Sequence, residues 1–211
     1  MKINTSLLNF KKKHQNKKNQ IIFYKANCKS NKIIENIINN FLTKKNSFIF
    51  ESVEKRRIRG RYTIIGANPD KIWEFNNKKI HIIENNNKTI VKGSPYSFLK
   101  KLIENFSFPL PKNIPPLCSL LVGYFSYDVI RYIEKIPDRC SNDLKIPDIR
   151  LMRPKTIIIH DNLLKKIYFI INAFADEKIN NYQEYYSRQV QNIKLLKNLA
   201  FNFNYKHEVK K

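Results

Sequence analysis

"FIFESVEKRRIRGRYTIIGANPDKIWEF", residues 48–75, sets apolar runs on both sides of a cationic segment. "SFIFES" (47–52) reads as a buried strand, and "RYTIIGA" (61–67) as a second. Aromatic and β-branched residues dominate both, and polar residues bound them. "KIWEF" (71–75) reads as a third strand. Between the first two lies "EKRRIRGR" (54–61), a candidate anion grip whose plain alternative is a solvated loop.

Working outward, the same kind of pattern recurs. "IIFYK" (21–25) is a short strand candidate. Ser30 can cap a helix running to about Lys44, with Ile33, Ile34, Ile37, Ile38, Phe41 and Leu42 on one face. "KKIHIIE" (78–84) and "KTIVK" (88–92) form a hairpin across Asn-rich turns. Ser94-Pro95 supplies an N-cap and first-turn proline for a helix burying Phe98, Leu99, Leu102, Ile103 and Phe106. "PLPKNIPP" (109–116) is a connector, and "LLVGYFSYDVIRYIE" (120–134) a strand running into a helix or turn. Residues 137–154 read as loop. "KTIIIHD" (155–161) and "KKIYFIINAF" (165–174) make a hairpin around Asn162. A last helix spans about Asn180–Leu199, carrying Tyr182, Tyr186, Val190, Ile193 and Leu196. The sum is α+β: antiparallel sheets, sandwich-like, with a few packed helices. The expected organisation is a basic polar arm over 1–19, one domain over 20–200 and a tail over 201–211.

The net charge of +23 invites a nucleic-acid reading. The chain holds 31 Lys, 31 Ile and 27 Asn but only 9 Arg and 4 Gly, however. Codons for Lys, Ile and Asn are rich in A and T, so genome composition accounts for the excess. A phosphate-binding surface favours the bidentate fork of Arg. The aromatics also lie outside "EKRRIRGR", where stacking modules interleave them with the cations. A basic nucleic-acid-binding module is therefore the alternative from another class. In such a composition the surviving glycines, Gly60, Gly66, Gly93 and Gly123, are expected where only glycine fits, at positive φ or at close backbone approach.

Cys28, Cys118 and Cys140 form no C-x-x-C pair, which fits a reducing compartment. His14, His81, His160 and His207 are scattered, so no metal set is read, and each is expected at the surface or satisfied in the core. No apolar run reaches the roughly 18 residues a membrane span needs. The basic first twenty residues lack an apolar core, so no secretory signal is read and the expected location is cytoplasmic.

The opening stretch resembles the N-terminal domain of anthranilate synthase component I. There a Leu-Leu-Glu-Ser strand precedes Gly-Arg-Tyr-Ser-Ile-Ile-Gly, an Asp-Pro and an aromatic strand. A second block, "IPPLCSLLVGYFSYDVIRYIEKIP" (114–137), resembles that family's Pro-Pro segment, Val-Gly-Tyr-Phe-Ser-Tyr-Asp and Arg-Tyr-x-Glu. The blocks stand in the family's order about fifty residues apart, and the likeness covers roughly residues 20–200. Departures are Ile49-Phe50 for Leu-Leu, Thr63 for the serine after Arg-Tyr, and Ser119-Leu120 for Gly-Gly.

The resemblance implies tryptophan biosynthesis, with chorismate and glutamine-derived ammonia giving anthranilate and pyruvate. It places the catalytic residues and the Mg²⁺ site in a C-terminal chorismate-binding domain beyond this chain. No catalytic or metal-binding residue and no cofactor is therefore expected here. It implies that Glu51 and Ser52 line a feedback site for L-tryptophan, with Arg61 toward the ligand carboxylate. The implied partners are the catalytic domain, supplied in trans or lost, and a glutamine amidotransferase subunit. A sheet that lacked its partner domain would expose apolar residues. The alternative within the enzyme class is the corresponding part of an aminodeoxychorismate synthase.

Overall fold

A computed structural model describes residues 1–41, 43–51, 60–112, 114–137 and 145–202. Among them eight strands join one antiparallel sheet in the order β1-β8-β7-β3-β4-β5, with β2 on β3 and β6 on β7. The strands are β1 (Gln20–Asn27), β2 (Phe48–Glu51), β3 (Tyr62–Asn76), β4 (Lys79–Glu84), β5 (Asn87–Val91), β6 (Val122–Phe125), β7 (Ile149–Asp161) and β8 (Lys166–Ala173). The helices are α1 (Leu7–Gln15), α2 (Asn31–Phe41), α3 (Pro95–Asn105) and α4 (Tyr182–Phe201). The expected α+β class with antiparallel pairing is what the chain adopts.

The chain forms two compact units. The first contains Met1–Asn68, Phe108–Ser119 and the chain from Lys155; the second contains Pro69–Ser107 and Leu120–Pro154. In the first, Ile33, Ile34, Ile37 and Phe41 of α2 share a core with Ile167, Phe169 and Ile171 of β8 and with Ile193 and Leu196 of α4. In the second, Trp73, Phe75, Ile80, Ile149 and Leu151 form a smaller cluster, against which Phe98, Leu99 and Leu102 of α3 are half-buried.

Several elements differ from the expectation. The first twenty residues are not a loose arm. Ser6 caps α1 by accepting from the Asn9 amide, and Phe10 and His14, one turn apart, are buried. His14 Nε2 lies 3.2 Å from the Phe174 carbonyl, so it donates there, and Nδ1 accepts from Tyr182 Oη at 3.1 Å. "RYTIIGA" and "KIWEF" belong to one strand rather than two. Asn68 takes a left-handed φ of 54° and donates to Thr156 Oγ1, which carries the chain past Asn-Pro-Asp without leaving the sheet. The end of the expected loop over 137–154 is the start of β7. β2 is half-exposed rather than buried, with Phe50 50% accessible, because its partner lies on one side only. Ile103 is 56% exposed on α3, outside the expected buried face.

The surviving glycines behave as expected. A Cβ on Gly123 would stand 1.8 Å from the Arg150 carbonyl oxygen, and one on Gly66 would stand 2.2 Å from the Phe48 ring. The first obstacle is backbone and cannot swing away.

Candidate functional site

The opening stretch folds around the β2–β3 ladder. Phe48 pairs with Gly66, Ile49 with Ile65, Phe50 with Ile64 and Glu51 with Thr63. Side chains alternate across a strand. Ile49 packs on the core of the first unit, so Glu51 belongs to that same face. Phe48 and Phe50 take the other face, their rings 5.0 Å apart. Glu51 is exposed at the end of β2, while its partner Thr63 is buried. Ser52 and the cations of 54–59 lie outside the described residues.

The chain re-enters at Gly60, with a φ of 86°, and Arg61 follows. The guanidinium makes a two-pronged ion pair: Nε to Asp161 Oδ1 at 3.1 Å and Nη2 to Oδ2 at 2.8 Å. It also lies 4.9 Å from the centre of the Tyr62 ring. The Asn162 amide donates to the Arg61 carbonyl at 2.8 Å, tying backbone as well as side chain. Asp161 is buried and accepts the Leu163 and Leu164 amides, each at 3.0 Å. Burial pushes its carboxyl up, but these hydrogen bonds and the Arg61 charge outweigh that, so its pKa falls below the usual value.

Of the expected set, the ladder therefore brings Glu51 opposite Thr63, two residues from Arg61, and directs Arg61 onto Asp161. Asp161 lies outside the expected set; its signal is the Asp161-Asn162 pair after "KTIIIH", residue types whose side chains bond nearby backbone in turns.

His160, beside Asp161, departs from the expected satisfied or exposed histidine. It is buried, and its Nε2 has no hydrogen-bond partner among the described residues. Burial lowers its pKa, and a backbone hydrogen bond at Cys28 opposes this only in part. Cys28 is also buried, and burial raises its thiol pKa. His14 fits the satisfied-core expectation. Among the described residues, no three His, Cys, Asp or Glu side chains cluster as metal ligands would. No described helix is long and apolar enough to cross a membrane.

No protein-family model matches the chain. Curated proteins do. Anthranilate synthase component 1 of Acetivibrio thermocellus is 32% identical over 150 residues, covering 71% of this chain and 30% of the relative. The chain is a homologue of anthranilate synthase component I. The Cereibacter sphaeroides protein of that name is 26% identical over 181 residues, covering 83% of this chain and 36% of the relative. Anthranilate synthase alpha subunit 1, chloroplastic, of Arabidopsis thaliana is 30% identical over 164 residues. The chain thus spans about a third of the length of these relatives. The crystal structure of anthranilate synthase component I from Streptococcus pneumoniae TIGR4 superposes with a TM-score of 0.50 at 21% identity, over 74% of this chain and 33% of that one. At that identity the likeness is one of fold.

Proposed function

We propose that this anthranilate synthase component I homologue is the N-terminal, regulatory part of that enzyme in tryptophan biosynthesis. It binds L-tryptophan as feedback inhibitor at the end of the β2–β3 ladder. Catalysis, the conversion of chorismate and glutamine-derived ammonia to anthranilate and pyruvate with Mg²⁺, belongs to a chorismate-binding portion outside this chain. A glutamine amidotransferase subunit completes the assembly, which works in the cytoplasm.

The observation that carries this reading is the match to proteins named anthranilate synthase component 1 over most of this chain and about a third of theirs. The local chemistry fits. Glu51 offers a carboxylate to an α-ammonium group and Ser52 a hydroxyl, beside a strand pair rich in apolar residues. With Arg61 held by Asp161, the ligand carboxylate is met by Arg61 only if the cation serves both anions. Such sharing is weaker than a dedicated pair, so Glu51 and Ser52 carry more of the affinity.

The test supplies the chorismate-binding portion of a relative as a separate chain. Anthranilate fluorescence is followed with chorismate, ammonia and Mg²⁺, with and without L-tryptophan. The reading expects no turnover from this chain alone and tryptophan-sensitive turnover from the pair. Turnover by this chain alone, or a pair indifferent to tryptophan, overturns it.

A further inference from the structure

The first 34 residues of the sequence hold nine lysines and no acid; the first carboxylate is that of Glu35. Lysine is common throughout this chain, so placement matters more than number. Lys11, Lys12 and Lys13 stand on α1, and α1 is no loose arm. Phe10 stacks on the Tyr185 ring at 5.6 Å, and His14 bonds both Tyr182 and the Phe174 carbonyl. The cations are thus presented from a fixed helix.

Beside that helix runs a surface groove of about 450 Å³. Lys13 of α1 and Lys112 of the proline-rich connector both line it, and both are exposed. Asn4, Asn9 and Asn19 add amides, while Ile21, Pro109 and Leu110 supply apolar surface. Among the described residues, no carboxylate lines it. Asn4 is fixed across the edge of β1, its Nδ2 donating to the Ile21 carbonyl and its Oδ1 accepting the Phe23 amide. One carboxylate stands close in sequence to a lining contact: Asp176 follows Ala175, whose amide donates to Asn19.

The geometry points to this groove as a docking surface for an acidic, extended segment of a partner protein. Two lysines along one groove with no lining carboxylate attract anions and repel cations. A groove of this volume admits a few side chains of a peptide segment, far less than the area a folded partner's interface needs. A nucleic acid fits less well. The groove offers no arginine fork, and its aromatic, Phe23, is half-buried in β1 rather than presented for stacking.

The experiment uses the full chain and fluorescence anisotropy. One probe is a labelled deca-glutamate peptide, the other a labelled ten-nucleotide oligothymidylate. Each is titrated at about 50 mM and about 200 mM salt. K13E/K112E is compared with K92E/K101E, an exposed pair in the second unit that changes net charge equally. The groove pair should weaken peptide binding about tenfold or more, and the control pair less than about twofold. The peptide should also bind more tightly than the oligonucleotide. Equal losses from the two pairs, tighter oligonucleotide binding, or no peptide binding at the lower salt overturns the assignment. K13Q/K112Q, read the same way, replaces the groove pair should circular dichroism reveal a folding defect in the reversal.

Discussion

Phe169 and Trp73 sit in strands of the two units under very different conditions. Phe169, on β8, is fully buried in a core to which α1, α2 and α4 all contribute. Trp73, on β3, is buried in a small cluster whose helix, α3, has no fully buried residue. Arg153 lies over the indole at 5.9 Å, and its Nε and Nη2 grip Asp70 at 2.9 and 2.5 Å. Glu74 accepts from Arg150 at 3.2 Å and from Lys88 at 3.0 Å. Both units carry ion pairs, but the first sets Arg61–Asp161 beside a broad apolar core, whereas the second sets its pairs beside a thin one. Exposed apolar side chains occur in both: Phe125 53%, Ile133 69% and Tyr127 91% in the second, Leu8 79% and Leu195 54% in the first.

The largest effect belongs to the apolar core. Phe169→Ala should cost about 3–5 kcal/mol in urea unfolding, through lost transfer energy and the cavity left behind. A loss near 1 kcal/mol would mean that the first unit is not held by its core.

Asp70→Ala comes next. It removes the two-pronged partner of the buried Arg153 cation and should cost about 2–4 kcal/mol. Replacing the pair together, Asp70→Leu with Arg153→Met, should cost less than Asp70→Ala alone. If the single change is the milder one, the second unit does not depend on that pair.

Acid should erode both units. The folded pKa of Asp161 lies below its ordinary 3.8, and that of Glu74 below its ordinary 4.5. For Glu74, burial alone would raise the value, and the hydrogen bonds from Lys88 and Arg150 reverse it. A depressed carboxyl contributes stability that is full above its unfolded pKa and lost as pH falls through its folded value. Stability should therefore fall below about pH 4. Asp161→Asn should flatten part of that fall, with wild-type and variant stabilities closer at pH 3 than at pH 6. Parallel curves would remove Asp161 from the account.

The smallest effect is at the rim. Lys88 is half-exposed, so Lys88→Ala should cost about 0.2–1 kcal/mol by thermal unfolding.

How much was legible depended on whether a residue's partner was near in sequence. Ser94-Pro95 announced α3, whose cap Ser94 accepts from the Ser97 amide, and the β4–β5 turn followed from local chemistry: Asn85 and Asn86 take left-handed φ of 50° and 64° there. α1 was missed because its buried face pairs Phe10 with a histidine, which an apolar count passes over. The start of β7 was missed because Arg150 and Arg153 disguise a strand. Their carboxylates come from β3, more than seventy residues away. At the site, the ladder carrying Glu51 was readable from two apolar runs. The commitment of Arg61 to Asp161 spans a hundred residues and was not.

The central claim concerns the end of that ladder, and calorimetric titration of L-tryptophan tests it most directly. The chorismate-binding portion is supplied in trans, and the wild type is compared with Ser52→Ala. Loss of one buried hydrogen bond should cost about 1–3 kcal/mol, roughly five- to a hundredfold in tryptophan affinity, with uninhibited turnover little changed. Equal affinity in the two proteins would contradict the account and leave Glu51 as an ordinary strand end.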